Sequence, residues 1–554
     1  MSFLGKKWIV KNTAQDKDPL AKILSNRGVE DINEGLTLHD PFLFENMVTA
    51  VERVKEAIEK QDRIIVFGDY DVDGISGATI MINTLKKLGA NVSYRLPHRV
   101  NDGYGLTEKF IDEFIEKNIN LIITVDCGIS CRNEVKKARE NNIDIIITDH
   151  HTIPDVLPEG STAILHPRLN DSKYPFNDLT GAGVALKFSQ ALLTTLLAEK
   201  FNQEEFEELV TLASLGTVAD LGVLKGENRL IVKKGLENLL TTKSNGLKKI
   251  IELSGIKEGF LDTHSISFRI APRINAAGRI GDPYVALSLL LQEEANEKTH
   301  LLGQKLEDLN IERQVRTEKA VQEAEKFFTD QAELPYIFIA DNPDWHVGIL
   351  GLIAAKLVEK YNRPAIIMQD LGETLVASAR SPKFFHLTDS LNQFSDHLIS
   401  FGGHAQAAGF NIKKENLEKF KEQFQNFTAK ALKNTELTPV MEIDCELGEK
   451  DISFELIDKL KALEPFGIGN EKPTFLLKNI EPYFVGQVGS EKNHLKFVIK
   501  SGDKEVQVIG FHLGKFADDL RQNKKIDIAC NLEKNIWNNR EYLQCRAIDI
   551  RESI

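Results

Sequence analysis

Residues 64–74 read Ile-Ile-Val-Phe-Gly-Asp-Tyr-Asp-Val-Asp-Gly, a short apolar run that breaks into aspartates at alternate positions. An apolar, β-branched run of this length, closed by glycine, is the pattern of a buried strand. Two later runs repeat it. Leu121–Val125 (LIITV) leads into Asp126-Cys127-Gly128, and Ile143–Thr148 (IDIIIT) leads into Asp149-His150-His151. Helical periodicity fills the intervals, as in Ile75–Leu88 and Glu134–Asn141. Alternating strands and helices predict βαβ units of a parallel sheet, in which ligands bind beyond the carboxyl ends of the strands. Strand ends that all deliver carboxylate or imidazole place repelling charges side by side, and divalent cations remove that repulsion. Oxygen and nitrogen donors without thiolates favour Mn2+ or Mg2+ over structural zinc. The D-x-D-x-D-G run also opens like a calcium loop, but its twelfth position, where such a loop needs Glu, is Ile80.

The chain has 554 residues, which at roughly 150 per domain predicts three to four domains. With 42% hydrophobic and 27% charged residues, disordered and fibrous classes are excluded. No run approaches roughly 18 consecutive apolar residues, so no membrane-spanning helix is expected. The start, MSFLGKKWIV, has no apolar signal region or cleavage site, so secretion is not expected. Five cysteines argue against a disulfide framework and predict a reducing cytoplasm. Cys127 and Cys131 lack a second pair at zinc spacing, and Cys127 reads as a small buried residue. The net charge of −13 argues against coating nucleic acid by bulk positive charge, but allows a local basic groove beside an acidic metal site.

Five segments are expected. Residues 1–60 form a lead-in with a helix-like stretch around Phe42–Lys60. Residues 61–284 form the first α/β domain, in which the helical Phe206–Thr217 ends at Val218-Ala219-Asp220 and Arg269–Arg279 (RIAPRINAAGR) reads as a Pro- and Gly-punctuated loop. Residues 285–330 are a helical connector, and 331–435 a second α/β domain beginning near Tyr336–Ile339. Residues 436–554 hold short alternating segments, Leu495–Lys500, Val506–Phe511, Ile526–Cys530 and Glu541–Ile548, that predict a small β-barrel or sandwich.

In this order and spacing, DYDVDG (69–74), VDCG (125–128), TDHH (148–151) and VADLG (218–222) resemble motifs one to four of the DHH phosphoesterase superfamily. GGHAQAAG (402–409) resembles the glycine-rich signature of the DHH-associated second domain. The RIAPRINAAGR loop and the β-rich C-terminal region resemble one branch of that superfamily, the single-strand-specific 5′→3′ exonucleases. The implied fold is α/β: a DHH lobe with a parallel sheet and a DHH-associated lobe, joined by a long helical segment, plus a C-terminal OB-type β-barrel.

The resemblance implies a site for two Mn2+ or Mg2+ ions held by Asp69, Asp71, Asp73, Asp126, His150 and Asp220. It makes Asp71, Asp73, Asp126, His150, His151 and Asp220 the catalytic set. His150 is expected to be the ligand of the histidine pair, and His151 to hydrogen-bond the phosphate or a metal ligand. Many superfamily members carry His four residues before the first Asp of their D-x-D pair, and this chain has Phe67 there. This leaves the division of ligands among Asp69, Asp71 and Asp73 open.

Phosphate recognition is expected across the cleft. Gly402 and Gly403 let backbone N–H groups approach a phosphate and His404 adds a donor, though the same glycines fit a strand-to-helix turn. Ser378 and Arg380 suit a terminal phosphate, and they fit a surface turn before Pro382 equally well. Arg273, Asn275 and Arg279 in the RIAPRINAAGR loop, and Arg99 before Asn101-Asp102-Gly103-Tyr104, are expected at the strand backbone or 5′ end. Lys492, His494, Lys496 and Trp537 are candidate strand contacts on the barrel, though Trp537 equally fits its core. Lys413-Lys414 and Lys524-Lys525 read as solvated faces.

The implied activity is hydrolysis of single-stranded DNA from the 5′ end to 5′-mononucleotides in recombination and repair, with a single-stranded-DNA-binding protein and a helicase as partners. Two rivals stand beside it. One is a superfamily enzyme for short oligoribonucleotides, cyclic dinucleotides or pyrophosphate; the other is a catalytically degenerate scaffold that binds DNA.

Overall fold

The computed structural model describes residues 2–12, 18–33, 35–103, 105–170, 172–256, 261–329, 333–502, 504–522, 525–537 and 540–553. Tyr104, Lys524 and the side chain of Trp537 lie outside the described residues. The chain forms two compact units, one of Gly35–Thr435 with Gly467–Gly469, the other of Met1–Glu34, Glu436–Phe466 and Asn470–Ile554.

The first unit opens on a five-stranded, wholly parallel sheet. Its spatial order is Asn91–Arg95, Arg63–Gly68, Leu121–Val125, Asp144–Thr148, Ala163–Leu165. The outer strands do not stand out in the sequence, because Asn91–Arg95 (NVSYR) is mixed in polarity and Ala163–Leu165 (AIL) is only three residues long. Side chains alternate between two cores. Ile64, Val66, Leu121, Ile123 and Ile146 face a cluster built on the helices Met47–Lys60, Val72–Lys87, Gly181–Leu197 and Gln203–Ala219. Ile65, Phe67, Ile122, Ile145 and Ile147 face the helices Glu108–Glu116 and Arg132–Glu140. This period-2 division requires apolar residues at every strand position, hence the unbroken runs. Phe67 is fully buried against Phe110 and Phe114, on the face that packs these two helices.

Helix Gly181–Leu197, with its short extension to Lys200, is long and apolar enough to cross a membrane, but most of it is buried inside this unit. The RIAPRINAAGR segment is helical, not a loop. A wide turn at Ile266–Ile270 runs directly into the α-helix Ala271–Ile280. Pro272 sits in the first turn of that helix, where a missing N–H costs nothing. Helix Tyr284–Leu290 follows, then the connector Glu297–Thr329, 33 residues and about 50 Å long at the α-helical rise.

The second lobe of this unit carries a five-stranded sheet ordered Leu398–Gly403, Ala407–Lys413, Thr374–Arg380, Ala365–Asp370, Phe338–Asp341. Only its last pair is parallel. Helix Val347–Tyr361 packs on it. Ser378 and Arg380 therefore lie on a central strand, and Gly402 and Gly403 on an edge strand, so neither run is the turn that its composition also allowed.

The second unit is an eight-stranded, mostly antiparallel sheet. Its order is Lys7–Asn12, Val440–Glu446, Phe475–Ile480, Ile526–Trp537, Arg540–Glu552, Lys504–Gly510, His494–Ser501, Tyr483–Val488. The N-terminal strand pairs in parallel with Val440–Glu446, from Lys7 opposite Val440 to Asn12 opposite Cys445. The start of the chain is thus part of this sheet, where the sequence suggested only a lead-in to the first α/β domain.

Candidate metal centre

Register builds the site. Gly68 pairs with Val125 and Val125 with Thr148, so the three strands end level and the next residues, Asp69, Asp126 and Asp149, emerge side by side. The ladder continues through them: Asp69 N–H donates to the Val125 carbonyl at 3.3 Å, Asp126 N–H to Thr148 at 2.9 Å, and Asp149 N–H to Leu165 at 3.2 Å. Strand order reverses beside Arg63–Gly68, because the chain runs out to Asn91–Arg95 and then back to Leu121–Val125. Such a switch point opens a crevice at the carboxyl ends, and Asp69 and Asp126 flank it.

Each carboxylate has a different setting. Asp71 caps its own helix, its Oδ1 accepting from Asp73 N–H at 3.0 Å and Gly74 N–H at 3.1 Å. Asp73, in the first turn of that helix, accepts from Thr180 Oγ1 at 2.9 Å, Gly181 N–H at 2.6 Å and Ala182 N–H at 3.0 Å. It thereby caps helix Gly181–Leu197 in trans, a contact favoured by the helix dipole. Asp126 adopts a left-handed φ of 62°, uncommon for a non-glycine residue and costly unless its surroundings hold it. Asp220 ends helix Gln203–Ala219 at the site's more open side.

His150 Nε2 points into the cluster, 3.0 Å from Asp126 Oδ1, 3.6 Å from Asp220 Oδ2 and 3.7 Å from Asp73 Oδ2. His151 turns its Nδ1 to Asp149 Oδ1 at 2.8 Å. Asp149 also accepts the N–H groups of Ile129, His150 and His151 at 2.9, 2.7 and 3.0 Å. His166 Nε2 in turn lies 2.8 Å from the His151 carbonyl oxygen.

The electrostatics follow from crowding. Burial, and then the neighbouring carboxylate Asp71, push Asp69 up to about 8 and Asp73 up to about 7. Burial followed by Asp73 and Asp71 takes Asp220 to about 8, and burial with the same neighbours raises Asp126 well above the carboxylate range. Burial lowers His150 to about 3. Burial alone would lower His151 too, but its bond to Asp149 raises it to about 9. Asp149, despite burial, is held down to about 2 by His151 and the N–H donors.

These residues fit divalent cations. Asp126 Oδ1 and His150 Nε2 are both buried without a hydrogen-bond partner among the described residues, a costly condition that a cation bound between them relieves. Ligand atoms converge in three overlapping groups: Asp126, His150 and His151; Asp73, His150 and Asp220; Asp69, Asp71 and Asp126. Asp126 and His150 each belong to two of these groups.

Across from the carboxylates lies a cluster of arginines. Arg99 stacks on Tyr70 at 4.1 Å and donates from Nε to the Gly278 carbonyl at 3.2 Å. Arg279 is depressed to about 9 by burial and then by Arg99, Arg313 and Arg380. Arg380 donates to Ser378 Oγ at 3.3 Å, and the absent side chain of Gly351 makes room for it, since a Cβ there would lie 2.8 Å from Nη2. The Gly402–Ala408 hairpin reaches the same place, Ala407 pairing with Arg380 and the Gln406 carbonyl accepting from Ser381 N–H at 3.0 Å. His404 and both hairpin glycines are exposed there.

Arg273 stands apart from this cluster's free donors. Its guanidinium is committed to a bidentate ion pair with Glu307 at 2.5 and 3.0 Å and to the carbonyls of Arg269 and Leu253 at 2.6 and 2.9 Å. Those bonds engage four of the guanidinium's five N–H hydrogens within the fold. Asn275, half-buried on the same helix, has no side-chain partner among the described residues.

Several site residues escaped the sequence reading as individuals. Asp149 was visible only as the aspartate of its TDHH motif. Gly181 and Gly216 were not visible at all. A Cβ on Gly181 would lie 2.4 Å from Asp126 Cβ, and one on Gly216 would lie 2.3 Å from Asp73 Oδ1.

Residues 63–217 match the DHH family, N-terminal domain, residues 334–430 the DHHA1 domain, and residues 443–549 the RecJ OB domain. The chain is 36% identical to the single-stranded-DNA-specific exonuclease RecJ of Bacillus subtilis, over 97% of this chain and 69% of that protein. It is 31% identical to RecJ of Salmonella typhimurium, over 90% of this chain and 89% of that protein. The crystal structure of RecJ in complex with Mn2+ from Thermus thermophilus matches with a TM-score of 0.84 at 29% identity, covering 99% of this chain and 80% of that one. RecJ in complex with Mg2+ from the same organism matches at 0.76 and 28%, covering 99% and 79%.

Proposed function

The chain belongs to the RecJ family of single-stranded-DNA-specific exonucleases, and from that premise we propose how its own residues perform and direct the hydrolysis. It is a metal-dependent nuclease acting on single-stranded DNA. The observation that carries the site assignment is the buried, unpartnered pair Asp126 Oδ1 and His150 Nε2 among level strand ends.

We assign Asp69, Asp71, Asp126, His150 and Asp220 as the groups that hold two Mn2+ or Mg2+ ions. Asp73 contributes its less occupied Oδ2 and braces helix Gly181–Leu197 with the rest of its carboxylate. When bound, the ions lower the pKa of a coordinated water toward neutrality and offset the charge of the phosphodiester. His150, kept unprotonated by burial, presents a lone pair at Nε2. Asp149 locks the His151 ring through Nδ1, so that His151 is set to donate to a phosphate oxygen rather than to rotate.

Polarity is assigned to the arginine cluster. Arg279, Arg380, Ser378, His404 and the N–H groups of Gly402 and Gly403 would hold a terminal 5′-phosphate, and Arg99 the adjoining strand. An internal nucleotide cannot supply that dianion, so cleavage would proceed 5′→3′ and release 5′-mononucleotides. A cleft that admits one strand would exclude a duplex. On the second unit, Lys496, Val498 and Lys500 alternate with the buried Leu495, Phe497 and Ile499. Arg546 covers Phe511 at 5.0 Å and Lys500 covers Tyr483 at 5.3 Å. Cations over aromatic rings on an open sheet face suit stacked bases and a phosphate backbone, and extend Lys492 and His494 as strand contacts. A role in recombination and repair, a cytoplasmic location, and a single-stranded-DNA-binding protein and helicase as partners complete the reading.

The test is a time course on a 5′-phosphorylated single strand labelled at its 3′ end, with Mn2+ or EDTA, beside D126A and a duplex. A ladder shortening stepwise from the 5′ end, absent with EDTA or D126A, is expected. An intact long strand with dinucleotides still hydrolysed would overturn the strand-path reading.

A further inference from the structure

In the first unit, the last turn of helix Ala271–Ile280 meets the first turn of helix Val347–Tyr361. A Cβ on Gly348 would lie 1.8 Å from the Arg279 carbonyl oxygen, and Arg279 Nη1 donates to the Gly348 carbonyl at 3.2 Å. One residue earlier in the same turn, the Gly278 carbonyl accepts from Arg99. Two histidines therefore flank this junction, His98 beside Arg99 on the first lobe and His346 at the helix start on the second. Neither belongs to the metal centre.

Both imidazoles are oriented in the same way. His346 Nδ1 accepts the Gly348 N–H at 3.1 Å, capping its helix. His98 Nδ1 accepts the N–H groups of Val100 and Asn101 at 3.2 and 3.3 Å. A neutral imidazole whose Nδ1 accepts carries its proton on Nε2. Neither Nε2 meets a partner among the described residues, and both rings are half-buried, reachable from solvent. Charges of both signs stand nearby: Asp102 accepts the His98 backbone N–H at 3.0 Å and is paired with Lys109 at 2.9 Å. Burial and then Arg316 hold His346 below the usual imidazole range, with Arg99 and His98 acting in the same sense and Glu312 against it. With Glu312 and Arg316 paired to each other, Arg99 is the guanidinium left beside the two N–H donors, which come from opposite lobes and suit an anionic oxygen.

We propose that His98 and His346 donate their Nε2 hydrogens to one backbone phosphate of the bound single strand, separate from the metal centre and from the Arg279–Arg380 pocket. The contact rests on the strand path proposed above and gives it a checkpoint: the two donors come together only on a strand that lies between the lobes. A small anion at the metal centre does not engage them.

Asparagine keeps an acceptor where Nδ1 stands and removes the distal donor, whereas glutamine places an N–H near Nε2 and gives up the acceptor. H98N and H346N therefore spare the local backbone hydrogen bonds, and H98Q and H346Q spare the phosphate contact. The experiment measures kcat and KM with Mn2+ on 3′-labelled single strands, each carrying one neutral methylphosphonate linkage at successive positions from the 5′ end. KM is expected to rise about tenfold in each asparagine variant, the factor a charge-assisted hydrogen bond commonly supplies, with kcat held and the glutamine variants near the parent. At one linkage the methylphosphonate should raise the parent's KM and add nothing in H98N or H346N. An unchanged KM in the asparagine variants, equal failure of asparagine and glutamine variants, or additive losses at every linkage would overturn the clamp. Failure of the parent on the unmodified strand would instead refute the strand path itself.

Discussion

Nε2 of His150 stands 3.0 Å from Oδ1 of Asp126, yet neither atom forms a hydrogen bond among the described residues. Leaving a buried polar atom unsatisfied costs about 1–3 kcal/mol, so an adjacent pair of such atoms persists for a purpose that hydrogen bonding does not serve. A cation bound between them satisfies both. Mn2+ added to EDTA-stripped protein should therefore raise its melting temperature, and H150A and D126N should lose most of that rise. In nuclease assays D126A should fall by about a hundredfold or more. A full thermal shift in D126N would place the ion elsewhere.

The crowded carboxylates make the metal-free protein sensitive to pH, and the sign can be worked out. Asp69, Asp73 and Asp220 titrate at about 8, 7 and 8 when folded, against 3.8 ordinarily, through burial and mutual repulsion. Between about pH 4 and 8 the folded state thus holds more protons than the unfolded state, and stability falls as pH rises. His150, lowered to about 3, opposes this up to about pH 6.5. His151, raised to about 9, adds to the decline above that point. The melting temperature in EDTA should drop most steeply between about pH 6.5 and 8, and saturating Mn2+ should flatten the curve by replacing the protons.

Asp149 holds His151 by a 2.8 Å bond to Nδ1, and the proposed role of His151 makes Asp149 a positioning residue. Replacing it with asparagine removes the charge that raises His151 to about 9 and weakens four hydrogen bonds into one motif. Activity of D149N should fall by about 10–100-fold, as for other residues that orient metal-site groups. Its kcat/KM profile should also lose its alkaline shoulder at lower pH than the parent's. A uniform loss with an unmoved profile would reduce Asp149 to a packing residue.

Glycines separate cleanly by what a methyl group would meet. G181A forces a Cβ to 2.4 Å from Asp126 Cβ, and G216A forces one to 2.3 Å from Asp73 Oδ1. Each should cost about 1–3 kcal/mol in unfolding free energy and weaken Mn2+ binding. Gly402 has nothing within 4 Å of the corresponding position. G402A should melt with the parent and show its effect only in the KM for DNA.

The arginines separate in the same way. R380A should raise KM for a 5′-phosphorylated strand about tenfold or more and leave a 5′-hydroxyl strand nearly unchanged, because a terminal dianion gains most from a bidentate guanidinium. R273A breaks the Glu307 pair and two carbonyl contacts. It should lower the melting temperature while preserving the ratio of the two KM values, and a collapse of that ratio would return Arg273 to the substrate.

What the sequence determined by itself is the part encoded at short range. The runs IIVF, LIITV and DIIIT must be strands, since a sheet covered on both faces needs apolar side chains at every position, and the residue after each run must emerge at the sheet edge. Asp69, Asp126, His150 and their neighbours were legible for that reason. The tertiary structure alone decided the rest, because its determinants lie far apart in the chain. Asp73 caps a helix that starts at Gly181. Arg273 is claimed by Glu307. The RIAPRINAAGR segment is helical despite its glycine, and Gly278 lets that helix approach the Tyr70 carbonyl, 2.4 Å from where a Cβ would stand. Lys7–Asn12 finds its partner strand at Val440–Glu446. Periodicity records which side of an element is buried, but not which distant residue buries it, and the fine assignment of ligand, brace and anchor depends on the second.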